Sequence, residues 1–194
     1  MSLVLVTAPT EEPISLNDAK DQLRVTDTNE HALIEDKIKG ARQAAEDFLG
    51  RALITQTWDL FLDAFPDSSD TPIKLPYPPL QSVTSVKYTD TTGIQQTLVT
   101  TEYTVDTKAQ PGRIKPAWGK TWPSIRSEMN AVEIQFVAGY GVDGEDIPPD
   151  IINGMLLWIE DEFNHRGSNI VGVMSALAPG TVHSMWWPHR MKKL

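Results

Sequence analysis

Residues Gly139-Tyr140-Gly141-Val142-Asp143-Gly144 spell a G-x-G-x-x-G between an alternating apolar segment and a helical pattern. In a dinucleotide-binding fold such glycines let backbone N–H groups approach a pyrophosphate at a helix N-terminus. The surroundings oppose that chemistry here. Asp143, Glu145 and Asp146 put negative charge where phosphate would sit, and Pro148 and Pro149 lack N–H donors at the helix start. No strand follows the helix to complete a βαβ unit. The segment reads as a glycine-rich strand-to-helix turn, and no cofactor is expected.

Carboxylates are abundant: Glu35-Asp36, Glu46-Asp47 and Glu160-Asp161-Glu162. Acid–base hydrolysis needs two carboxyl groups facing each other across a cleft, one with a raised pKa. Neighbours on a helix point in different directions, so these runs read as acidic helix faces. Asp143-Gly144-Glu145-Asp146 lacks the alternating acids of a calcium loop. No two of His31, His165, His183 and His189 have the H-x-x-x-H spacing of a helical metal pair, and no serine sits in G-x-S-x-G. With no cysteine there is no disulfide, thiolate metal site or thiol nucleophile. No catalytic, cofactor or metal site is expected, and the chain reads as no enzyme. Leu75-Pro76-Tyr77-Pro78-Pro79-Leu80 contains a P-x-x-P; it reads as a stiff connector rather than a polyproline ligand.

One cluster remains. Met185-Trp186-Trp187-Pro188-His189-Arg190, with Lys192 and Lys193, joins indoles, a methionine and bases beyond the last long helix. Aromatics, Met and Arg are enriched at protein interfaces. Met185, Trp186, Trp187, Pro188, Arg190, Lys192 and Lys193 are therefore the candidate partner-binding residues, with coverage of the chain's own core as the competing role.

The elements that must position these residues follow from periodicity. Ser15 and Asp18 form a variant capping box that opens a short helix to about Leu23. Asp27-x-x-Glu30 reads as a second helix-start signal; Leu33, Ile34, Ile38, Ala41, Ala45, Phe48 and Leu49 then recur at helical spacing over 29–49, and Gly50 stands at the C-cap. Period two follows at Trp58–Leu62, Thr84–Tyr88 and Val132–Ala138, with shorter candidates at Ile73–Leu75, Ile94–Val99, Tyr103–Val105 and Arg113–Lys115. Asp90–Gly93 reads as a hairpin turn. Helical spacing returns with Ile152, Met155, Leu156, Ile159 and Phe163, and Gly167 ends it. The expected class is α+β: a small helical bundle (15–50 and 149–166), an inserted antiparallel β-rich region (54–140) and a C-terminal tail. One domain over 1–167 with a docking tail over 168–194 is the expected organisation.

Of 194 residues, 40% are hydrophobic and 22% charged, an ordinary globular composition. No apolar run reaches the ~20 residues that span a bilayer, and Leu3–Val6 lacks the flanks of a signal peptide, so no membrane association is expected. The net charge of −9 argues against a protein that grips nucleic acid. Charge is uneven: residues 1–50 carry 10 acids and 5 bases, 51–141 carry 9 and 8, and 142–167 carry 7 and 1. Residues 168–194 carry only Arg190, Lys192 and Lys193. An acidic body ends in a basic tail suited to an acidic surface.

Much of the chain resembles the head–tail connector (adaptor) proteins of tailed double-stranded DNA bacteriophages. The resemblance is carried in order by Pro13-Ile14-Ser15-Leu16, Ala19-Lys20, Leu23-Arg24-Val25, Ala41-Arg42, Glu46 and Gly50-Arg51. It continues through Leu53-Ile54-x-Gln56-Thr57-Trp58, Leu75-Pro76-x-Pro78-Pro79-Leu80-x-Ser82-Val83 and Phe136-x-Ala138-Gly139-Tyr140-Gly141 with Ile147-Pro148. Asn164-x-Arg166 and Pro188-x-Arg190 close it. Near the last motif, Met185-Trp186-Trp187 stands where the family often carries an aliphatic pair.

The resemblance implies a structural virion protein at the neck, the head–tail interface, assembled in the host cytoplasm. Copies would form a homo-oligomeric ring of about a dozen subunits on the portal protein, extend the DNA channel and receive a downstream head-completion or tail protein. DNA would pass through without tight binding, consistent with an acidic wall. The competing readings are another neck or tail ring protein (head-closure or tail-terminator), a carbohydrate-binding module using Trp186 and Trp187, and an acidic hydrolase.

Overall fold

The computed structural model describes residues 1–164 and 180–191. They fall into two compact units: a β unit of Met1–Pro9 and Thr55–Tyr140, and a helical unit of Thr10–Ile54 with the described residues from Gly141 onward. The class is α+β, with the antiparallel region inserted into the helical sequence. His165, Arg166, Gly167, Lys192 and Lys193, on which several expectations rest, lie outside the described residues.

In the helical unit, α1 (Leu16–Leu23) starts where the capping signal stands. The Asp18 N–H donates to Ser15 Oγ at 3.1 Å, and the Ser15 hydroxyl donates to Asp18 Oδ2 at 2.6 Å. Those bonds satisfy an otherwise orphaned first-turn donor and fix the rotamers around it. The second signal does something else. Asp27 accepts the backbone N–H of Asn29 at 2.9 Å in an Asx turn, and α2 (His31–Leu49) begins after Glu30 with no side-chain cap. Ile34, Ile38, Ala41, Ala45 and Leu49 form its buried stripe. Gly50, at φ 65°, returns its N–H to Glu46 O at 2.8 Å. In α3 (Pro149–Asn164), Ile151, Met155 and Ile159 are buried. Its expected acidic face is partly spent on packing: Gln22 donates to Glu160 at 2.8 Å and Lys37 pairs with Glu162 at 3.0 Å. These carboxylates tie helices together.

The β unit contains a five-stranded antiparallel sheet with strand order β1 (Ser2–Thr7), β2 (Gln56–Leu62), β8 (Val132–Ala138), β4 (Leu80–Thr89) and β5 (Gln95–Thr97). A second sheet orders β3 (Ile73–Leu75), β7 (Gly112–Pro116) and β6 (Tyr103–Asp106). Strict alternation buries Val132, Ile134, Phe136 and Ala138 on β8, in register with Leu60 on β2 and Val86 on β4. The smaller sheet buries Ile73, Leu75 and Ile114. It approaches β4 so closely that a side chain at Gly112 would collide with Leu80, which explains the glycine there. The proline connector joins β3 to β4. Tyr77, at φ 56°, lies outside polyproline geometry and stacks on Trp58 with centroids 4.8 Å apart.

Two elements were not anticipated. β1 occupies Leu3–Val6, a patch without recognisable alternation, and adds an edge strand to the sheet. In α4 (Gly180–Trp186), seven residues of the expected tail form a helix on the helical unit.

Candidate partner-docking site

The C-terminal cluster is built on the end of α2. A helix leaves its last carbonyls without internal partners. Here the Met191 N–H donates to Leu49 O at 2.8 Å, and Arg51 Nε donates to His189 O at 2.6 Å. The chain end thus caps α2 while Arg51, just past the helix, holds the returning backbone. The short turn Trp187–His189, with Pro188 at its start, sets the direction between these bonds.

Adjacent indoles take opposite roles. Trp186, expected on a partner-facing surface, is 2% exposed and belongs to the core of its own unit. Its Nε1–H donates to Ile151 O at 3.2 Å, and it lies against Gly154, where a Cβ would collide with the indole. A buried indole N–H needs such an acceptor, and an α3 carbonyl supplies it. Val182, one turn earlier on α4, is also buried. Removal of α4 would expose the Ile151–Gly154 surface.

Trp187 is 63% exposed and remains available. It forms a surface cluster with Phe48, 6.5 Å away between centroids, and Arg190. The Arg190 guanidinium lies 5.1 Å from the Phe48 centroid and 5.6 Å from that of Trp187. His183 meets Phe48 edge-on at 4.7 Å. A cation over two rings preorganises the flat, amphipathic surface that binding hot spots use. Met185 is half-buried and Pro188 is exposed. His189 Nε2 approaches Asp150 Oδ2 at 3.7 Å. Phe48 and Arg51, absent from the expected site, are its platform. Their signal was available in sequence: an aromatic and a base flanking a helix-ending glycine.

The glycine-rich turn is filled by its own chain. A side chain at Gly141 would strike the Asp146 carboxylate, and one at Gly144 would strike the Pro13 carbonyl. In the β unit, Gly139 donates its N–H to Pro79 O at 2.9 Å and accepts from Gln81 Nε2 at 2.9 Å. Space that a pyrophosphate would need holds a carboxylate and a carbonyl. Among the described residues no group of three or more His, Asp or Glu is placed to hold a metal ion, and no helix is long and apolar enough to cross a membrane.

A chain from the neck of an empty gene transfer agent (GTA) particle, computed with C6 symmetry, superposes with a TM-score of 0.81 at 24% identity, covering 100% of this chain and 97% of that one. A chain of the native GTA virion gives 0.80 at 23%, and one from the native neck with C12 symmetry gives 0.77 at 22%, with the same coverage. At these identities the likeness establishes a shared fold over the whole length. No curated protein matches in sequence. Residues 13–110, about half of the chain, match the family model of phage gp6-like head–tail connector proteins, and the chain belongs to that family.

Proposed function

We propose that this chain is a non-enzymatic subunit of the virion neck, assembled as a ring between the portal of the head and the tail, where it extends the DNA channel. The observation that carries the reading is membership of the head–tail connector family. Full-length likeness to chains from necks treated with C6 and C12 symmetry supports a ring, because such an axis requires repeated copies of each chain.

Within this reading the C-terminal segment is the docking element for an acidic, grooved partner, with the portal as first candidate. Trp187, clustered with Phe48 and Arg190, supplies the apolar contact, with Met185 and Pro188 near it in sequence. Lys192 and Lys193, outside the described residues, extend its positive charge. Buried aromatic hot spots cost about 2 kcal/mol or more on truncation, whereas exposed bases mainly steer encounter. Negative-stain microscopy of the purified protein, alone and with portal, tests the assembly. Rings with a central hole, stacked coaxially on the portal, are expected. Particles that stay monomeric in both preparations would refute it.

A further inference from the structure

Outside the C-terminal site, the β unit exposes a second docking feature. Trp118 is fully exposed in the turn after β7. The turn is stiff: Ala117 N–H donates to Glu102 O at 2.9 Å, Lys120 N–H donates to Ala117 O at 2.9 Å, and Lys120 pairs with Glu102 at 2.9 Å. Gly119, at φ 73°, closes it, a conformation that favours glycine. A large apolar side chain held rigidly in water gains on burial without a large ordering cost. The same unit carries a basic face. The outward face of the smaller sheet carries Lys74, Arg113 and Lys115, with Lys74 and Arg113 directly cross-strand. Lys108 stands in the loop beyond β6, and the acid on this face, Asp106, is paired with Arg113 at 2.9 Å. On a protein of net charge −9, this is a concentrated positive face.

The helical unit carries its complement. A cleft of about 880 Å³ runs between the segment before α1, α2 and the start of α3. Its floor includes Ile14, Ile38 and Ile147. Its rim carries the exposed carboxylates Glu11, Glu35, Asp143 and Glu145, with Lys39 opposing them. An apolar floor inside an acidic rim complements, in polarity and charge, the exposed indole and the basic sheet face of the β unit. The two surfaces share no residue, so a copy that gives its turn to one neighbour still has its own cleft to offer. Such a heterologous contact generates a ring when the rotation closes.

We infer that the Trp118 turn and the basic sheet face of one copy dock into the acidic cleft of the next, forming the head-to-tail interface of the ring. The inference rests on the ring assembly proposed above. Sedimentation velocity over a concentration series tests it with full-length chains. Trp118→Ala should weaken self-association about tenfold or more, while circular dichroism stays unchanged, because the side chain is fully exposed. Lys74→Glu/Lys115→Glu and Glu35→Lys/Glu145→Lys should each dissociate alone. Mixed in equal amounts they should reassemble, since the acidic face of the first then meets the basic cleft of the second. Association equal to the parent in all three variants would overturn this interface while leaving the ring intact. Failure of the mixture to reassemble would overturn the pairing of face and cleft, and point to the portal or the chain's own segment as occupant. A parent chain monomeric at every concentration, and on the portal, would instead remove the ring reading itself.

Discussion

At the residue scale, two neighbouring tryptophans show how little a residue type says without its direction. Trp186 and Trp187 are indistinguishable in composition, and the tail around them is too short for periodicity to assign a face. Burial separates them. Trp186→Ala removes an enclosed indole and orphans the space above Gly154, so a loss of about 3–5 kcal/mol is expected in chemical denaturation. Trp187→Ala removes an exposed ring and should change stability by about 0.5 kcal/mol or less, yet abolish capture by the partner. Equal destabilisation by both changes would place Trp187 in the core and end its docking role. Gly154→Ala offers an independent check. A methyl group pressed into the Trp186 ring should cost about 1–3 kcal/mol by overpacking, without touching the exposed surface.

At the element scale, the longer periodic elements were legible, and β1, which rests on backbone pairing, was not. The α2 stripe follows from helical spacing, and β8 and the three-residue β3 from alternation, because burial on one face imposes each period. β1 buries almost nothing: Val4, Leu5 and Val6 are exposed, and the strand is held through its ladder with β2. Alternation therefore never formed. The Asp27 signal misled for a related reason, since a short acidic side chain serves an Asx turn as readily as a helix cap. Asp90 shows the same chemistry at the hairpin of β4 and β5. It accepts from Thr92 N at 2.8 Å, Ile94 N at 3.1 Å and Gln96 Nε2 at 2.9 Å, and from the Thr92 hydroxyl. The Thr92 side-chain bond, then those from Gln96 and Ile94, hold its carboxyl well below the usual carboxylate range. A depressed carboxyl stabilises the fold above its unfolded value of 3.8 and loses that contribution as pH falls towards the folded value. Amide protection at Thr92 and Ile94 should accordingly decline on acidification below 3.8, and Asp90→Ala should lower it at neutral pH. Unchanged protection in the variant would show that backbone pairing alone holds the hairpin.

At the scale of the whole molecule, charge decides how the chain treats DNA. The formal charge of −9 opposes a polyanion at long range, yet the basic sheet face offers phosphates a local site. The two effects predict different salt dependence. If Lys74, Lys108, Arg113 and Lys115 gripped a duplex, log affinity would fall against log salt with a slope of about −3.6, and binding would strengthen sharply in dilute buffer. If those groups instead face acidic clefts of neighbouring copies, assembly removes them from solution and leaves an acidic surface. Duplex affinity at physiological salt should then be weaker than the ordinary nonspecific range of about 10⁻⁴–10⁻⁶ M. Fluorescence anisotropy with a labelled duplex, followed from low to physiological salt, separates the cases. The assembled parent should show little binding and almost no slope. The dissociated Glu35→Lys/Glu145→Lys variant, with its sheet face uncovered and added positive charge, should bind measurably with a steep slope. Tight, salt-dependent binding by the assembled parent would mean that the basic face is turned to DNA, and a conduit that holds its cargo would slow the passage that a connector must permit.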